Sequence, residues 1–235
     1  MTVQPTRPQR LFALGALTAL TALAGCFQLA RPTPPVEEYV LGGDPKAVAT
    51  APVRDAAAVT LGLRRVDLAP YLATTAIVVR RGSRVTALEF RRWGEDPIAG
   101  VMRALARALG SAPSVLAVDV APWPAQAQHD YLIQWHISHL EGVAAEAPAT
   151  TTGEVQVIAS WEIIRSIDGV IVARGESDRR ESGWTVGDYA ALVRGIDAGL
   201  TGLAGDVSAC LVRVVAASPA PDAAASARPM RCGVR

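Results

Sequence analysis

Side chains with the chemistry to act as base, nucleophile or metal ligand are few in this 235-residue chain, which has three histidines and three cysteines. His136 and His139 lie three apart in a stretch that alternates like a strand, so they are expected to face opposite sides and cannot share a metal. No cysteine or carboxylate stands beside them or His129 at a recognised ligand spacing. His136 shares its face with Gln134 and Ser138, a polar and solvated stripe. The chain contains no G-x-S-x-G elbow, P-loop or G-x-G-x-x-G turn. Asp67 and Asp119 would make a carboxylate pair only if the fold joined them, and nothing in the sequence does. The reading is of a protein that is not an enzyme, with no metal or cofactor site.

One thiol is different. An apolar run from Leu11 to Leu23 follows Arg7 and Arg10 and ends in Leu23-Ala24-Gly25-Cys26. A basic start, about a dozen apolar residues and a small-residue cut site describe a secretory leader, too short to span a bilayer comfortably. Leu-Ala-Gly-Cys resembles the bacterial lipobox, in which the cysteine thiol takes a diacylglycerol and, after cleavage, the new amino terminus takes an acyl chain. Each buried lipid methylene contributes about 0.8 kcal/mol, and several chains together far exceed the hold of one. Residues 1–25 then form a signal peptide. Residues 26–36, with Arg31-Pro-Thr-Pro-Pro35, form an extended proline-rich tether. A domain over 37–215 and a disordered tail over 216–235, rich in Ala, Pro and Ser, complete the chain.

Losing Arg7 and Arg10 with the leader leaves 21 basic residues against 22 acidic. That balance argues against nucleic acid as a partner, since a binder shows a basic face. After residue 26 no uninterrupted apolar run reaches the ~18 residues of a membrane span. An oxidising compartment would let Cys210 and Cys232 join. The alternative is two independent thiols, because Cys210 falls on a helical apolar stripe and Cys232 in the tail.

The elements that would carry these groups follow from periodicity. Tyr39 to Leu41 reads as a first short strand. Val59, Leu61 and Leu63 alternate, and Val66 and Leu68 continue after a slip of phase. Ala76–Arg80 and Val85–Arg92 flank a hairpin turn at Arg81-Gly82-Ser83. Asp96-Pro97 starts a helix whose apolar face is Ile98, Val101, Met102, Leu105 and Leu109, with Arg103 and Arg107 pointing away and Gly110 as the stop. Strands are expected over 115–120, 131–137 and 155–163, the last turning at Asp168-Gly169 into Val170–Ala173. Thr185-x-x-Asp188 reads as a capping box opening a long helix through Tyr189, Leu192, Ile196, Leu203 and Val207. The fold class is α+β, a single domain in which an antiparallel or mixed sheet of about six to eight strands carries two main helices on one face.

Several residues could meet a partner. Gly195, Gly199, Gly202 and Gly205 each cost about 1 kcal/mol in a helix interior, so something approaches closely there, either the sheet or a helix of a second protein. Among the tryptophans, Trp93, Trp123 and Trp184 are candidate contact anchors. Arg64, Arg65, Arg80, Arg81, Arg84, Arg91 and Arg92 form either a basic patch or sheet residues paired with Glu89, Glu95 and Asp96.

Three landmarks in order carry a family resemblance: the lipobox with its proline-rich spacer; Ile77-Val-Val-Arg80 leading to Glu89-Phe-Arg-Arg-Trp93-Gly-Glu-Asp-Pro97; and Ala159-Ser-Trp161, Asp168-Gly169 and Tyr189-Ala-Ala-Leu-Val. The chain resembles the ABC-type transport auxiliary lipoprotein family, whose best-named group is the PqiC-like lipoproteins. The resemblance implies a non-catalytic lipoprotein on the periplasmic side of the envelope. It would work beside an ABC permease and an MCE-type substrate-binding protein that move lipids or other hydrophobic cargo, and it leaves homo-oligomerisation open. Phe27, rather than aspartate, after the acylated cysteine favours the outer membrane over the inner. The rival reading is a free-standing envelope lipoprotein that binds a hydrophobic ligand or assists outer-membrane protein assembly.

Overall fold

The structure, a computed structural model, describes residues 33–42, 52–146, 151–217 and 228–233. The signal peptide, Cys26 and most of the tether lie outside the described residues, and the compact unit starts at Val36. Its strands are β1 (Glu37–Tyr39), β2 (Val59–Leu63), β3 (Asp67–Leu68), β4 (Ala76–Arg81), β5 (Arg84–Trp93), β6 (Val115–Val120), β7 (Tyr131–Ala144), β8 (Thr152–Arg165), β9 (Ile171–Thr185) and β10 (Met230–Arg231). Among the described residues two α-helices, α1 (Pro97–Gly110) and α2 (Tyr189–Ala217), and a short 3-10 turn over Pro70–Leu72 complete the α+β fold.

All ten strands join one mixed sheet organised around β7. One side of β7 pairs antiparallel with β8 along its whole length. Its other side receives three short parallel partners in succession: β2 opposite Tyr131–Ile133, β3 opposite His136 and Ile137, and β4 opposite Gly142–Ala144. The slip of phase between Leu63 and Val66 is therefore a break into two strands rather than a bulge within one. A bulge does occur in β7, between Ile137 and His139. The β4–β5 hairpin turns at Gly82, whose φ of 57° is open to glycine.

Alternation builds the core. Ile133, Trp135 and Ile137 of β7 and Val157, Ala159, Trp161 and Ile163 of β8 share one face and are at most 1% exposed. Both helices cover that face. In α1 the Asp96 carboxylate accepts from Ala99 N at 2.9 Å and Pro97 occupies the first turn, as a helix start requires. Gly110 is its last residue rather than its stop; Ser111 caps the end through Ala108 O. Arg103 and Arg107 do point away from the apolar face, both exposed, and there they make surface ties. Arg103 pairs with Glu95 and donates to Leu41 O, while Arg107 reaches Gly42 O and Asp197 of α2.

The start of α2 is one turn later than a capping box at Thr185 requires. Asp188 is the cap, accepting from Ala191 N at 2.8 Å, and Thr185 ends β9. By length and mean hydropathy of 1.5, α2 matches a membrane span. It nevertheless buries Leu192, Ile196, Leu200, Leu203, Val207 and Leu211 in the core it shares with the sheet and α1, and its Asp206 pairs with Arg179 of β9. It is the core helix of this domain.

Two described parts of the tail, 216–217 and 228–233, depart from the expectation of disorder over 216–235. The helix runs to Ala217, and Met230 and Arg231 form β10 against Ala173 and Arg174 of β9. Cys232 is bonded to Cys210, so of the two alternatives the structure takes the disulfide.

Candidate functional site

The residues singled out as partner contacts are mostly internal. Trp93 is 7% and Trp184 5% exposed. The Trp184 ring lies over Gly142 and Gly153, where a β-carbon would stand 2.6 and 2.9 Å from it, and its indole N–H donates to Asp188 O. Gly195 and Gly199 face β8: a β-carbon would lie 2.9 Å from Val155 Cγ2 and 2.6 Å from Val157 Cγ2, respectively. The close approach their composition signals is therefore to the sheet, and neither glycine is open to a second protein. Trp123 alone among the five stays half-exposed, its edge against the His129 ring at 4.9 Å.

The arginine cluster separates into individual ties. Arg80 pairs with Glu141, Arg91 with Glu37 at 3.1 Å, and Arg81 donates to Ala145 O. The expected partners are engaged elsewhere: Glu95 holds Arg103 and Asp96 caps α1.

What remains is the sheet face away from the helices. The bulge in β7 decides its chemistry. Ile137 stands opposite Ala159 and Leu140 opposite Val157, both on the helix side. His136 opposite Ser160 and His139 opposite Ile158 therefore share the outer face, contrary to the opposite facing that uninterrupted alternation requires. They take different partners. His136 Nδ1 lies 3.2 Å from Asp67 Oδ2, and His139 Nδ1 lies 3.0 Å from Glu141 Oε1. His129 makes a third such pair, at 2.8 Å, with Asp119. Asp67 and Asp119 thus belong to separate pairs and do not meet.

Glu141, not anticipated from the sequence, is the centre of the outer face. It is 0% exposed although it lies on the face away from α1 and α2. Arg80 Nε lies 2.6 Å from its carboxylate, and Arg80 Nη2 donates to Gln156 Oε1 at 2.8 Å. Gln156 in turn donates to Glu154 at 2.6 Å. Tyr71 caps the group, its hydroxyl donating to Ser138 O at 3.0 Å. Burial, and then the neighbouring Glu141, hold that phenol well above its ordinary range. The sequence does carry a trace of this arrangement. Tyr131, Ile133, Trp135 and Ile137 hold odd positions and the next bulky residue, Leu140, an even one, and that change of phase is the bulge.

Beside this network, Asp67, His136, Ser160 and Glu176 stand opposite one another in register across β3, β7, β8 and β9. They line an open groove with Leu68, Pro70 and Ile158. Its mixed lining of carboxylates, hydroxyls and aliphatic carbons suits contact with an amphipathic surface. Among the described residues no group of three or more His, Cys, Asp or Glu is arranged to hold a metal.

Comparisons with known proteins agree with this architecture. Protein XCC0632 from Xanthomonas campestris, of the family DUF330, superposes with a TM-score of 0.57 at 15% identity, covering 70% of this chain and 93% of that one. A second solved structure, of an uncharacterised protein, gives 0.54 at 13% identity, covering 69% and 96%. At such identities the likeness is one of fold. No curated protein matches the sequence. The family model for the ABC-type transport auxiliary lipoprotein component, however, matches residues 39–208, from the first strand to the last third of α2. The chain belongs to the ABC-type transport auxiliary lipoprotein family.

Proposed function

We propose that the mature protein is anchored by lipid on Cys26 and serves as a non-catalytic accessory of an ABC transporter working with an MCE-type protein in the envelope. The family match over 39–208 carries this reading, with Leu23-Ala24-Gly25-Cys26 supplying the anchor. The diacylglycerol and N-acyl chains hold Cys26 in a membrane leaflet, the outer membrane's by the Phe27 that follows. The domain hangs from the tether and presents its polar sheet face, with the Asp67–Glu176 row and the half-exposed Trp123, to the permease or MCE protein.

Labelled palmitate tests the anchor. The chain should carry label, and Cys26→Ser should lose it and move to the soluble fraction; an unlabelled chain or an unmoved variant overturns the anchor. Copurification after mild detergent extraction tests the role. Recovery of an MCE-domain protein or the permease is expected, and failure beside a successful control complex overturns it. The groove beside His136 gives the rival, ligand-binding reading a specific observation. Native mass spectrometry separates the two, since a retained lipid on an unpartnered domain favours the rival.

A further inference from the structure

The C-terminal segment is held in a way its own contacts do not explain. β10 is two residues long, and its seat on β9 adds the Cys232 N–H donated to Arg174 O at 2.8 Å. Among its side chains, Arg231 is exposed and Met230 half-buried, so Cys232, 3% exposed, is the only one fully buried. A few net hydrogen bonds do not offset the conformational entropy of ordering residues 228–233. The bond from Cys232 to Cys210 does, by fixing the segment covalently to α2.

The other partner is built to survive without the bond. Cys210 is 0% exposed within the apolar stripe of α2, between Val207, Leu211 and Val214, where a free thiol packs as a small hydrophobe. β9 is likewise shaped for the tail. A β-carbon at Gly175 would fall 1.9 Å from Cys232 O and 2.2 Å from the Trp161 ring. Gly175 thus leaves a slot over Trp161 that the Cys232 backbone fills.

We propose that Cys210–Cys232 is a redox latch. In the disulfide state the C-terminal strand lies on the β9 edge and covers the slot. In the dithiol state the strand leaves, and the edge at Ala173–Gly175 opens while the rest of the domain stays folded. The reductant is a dithiol. One of its thiolates attacks a sulfur of the bridge to give a mixed disulfide, and its second thiol resolves that bond. Two electrons and two protons pass to Cys210 and Cys232, and the reductant leaves as a disulfide. Because both sulfurs are buried, attack waits for β10 to lift.

Hydrogen exchange on the full chain in mild detergent tests this, comparing oxidised protein, dithiothreitol-reduced protein and Cys232→Ser. In the latter two, exchange over 228–233 and 173–176 should rise at least tenfold, with exchange over 189–217 changed less than twofold. Unchanged exchange in the tail overturns the latch, because the strand then holds without the bond. An equal rise along 189–217 also overturns it, because the bond would then be a staple of the core. Gly175→Val gives an independent readout. With the slot filled, alkylation and intact mass should find free thiols on most of an otherwise folded protein; complete disulfide formation in that variant would show that the slot does not seat the tail.

Discussion

On the helix side of β7 and β8, Ile133, Trp135, Val157 and Trp161 are all within 1% of full burial, and the glycines of α2 let its backbone settle onto Val155 and Val157. On the other side His136, Ser160 and Glu176 are open, and the exceptions are Glu141 and the Gln156 opposite it, buried within one hydrogen-bonded group. Strands shared by two faces thus carry two kinds of order. One face is held by volume, where any atom added or removed is felt. The other is held at one point by charge, where the identity of a partner matters more than its size.

The largest effect should come from removing volume. Trp161→Ala deletes a side chain 1% exposed and should lower unfolding free energy by about 4 kcal/mol in denaturant titration. A loss under about 1 kcal/mol would mean the helix side tolerates a cavity and is not packed as described. Next, Arg80→Ala leaves Glu141 buried without its cation. Arg80 keeps some solvent access, so a loss of about 3 kcal/mol is expected, at the lower end for broken buried pairs. The double variant Arg80→Met/Glu141→Leu should recover most of it. If the double variant is as unstable as the single, the cost is lost packing and the contrast between faces fails.

A third test sets two glycines of one helix against each other. A β-carbon at Gly199 would meet Val157 at 2.6 Å, whereas at Gly205 nothing lies within 4 Å. Gly199→Ala should therefore destabilise by about 2 kcal/mol through overpacking. Gly205→Ala should stabilise by up to about 1 kcal/mol through helix propensity. The same sign at both positions would mean α2 does not lie against β8.

The contrast between the faces also explains what could be read from the chain. α1 was legible because Asp96-Pro97 and an apolar stripe agree, and β7 and β8 because bulky residues alternate on the helix side. β9 past Ala173 was not. Its inward positions are Gly175, Ser177 and Arg179, which leave room for Cys232, receive the Trp161 N–H at 3.1 Å and reach Asp206 of α2. A strand whose inward residues serve as slot, acceptor and ion-pair partner shows no hydrophobic alternation. The glycines of α2 signalled close approach, but composition does not say to what. Glu141 was hidden by one extra residue in β7, which turns every later side chain over. The disulfide joins residues 22 apart through a tail whose composition reads as disordered, and spacing does not reveal such pairings.

The smallest effect belongs to the exposed part of the outer face, and there the sign with pH is the informative quantity. Asp178 is paired with Arg180 at 2.8 Å, and the hydrogen bonds from that guanidinium are the main cause holding its carboxyl below the ordinary 3.8. A depressed carboxyl contributes stability that is complete above its unfolded value and is lost as pH falls through its folded value. Both side chains are about half exposed, so solvent screens the pair. Asp178→Asn should therefore change stability at neutral pH by less than about 0.5 kcal/mol and flatten the stability curve only below about pH 4. A neutral-pH loss approaching that of Arg80→Ala would mean charge organises the whole outer face rather than Glu141 alone.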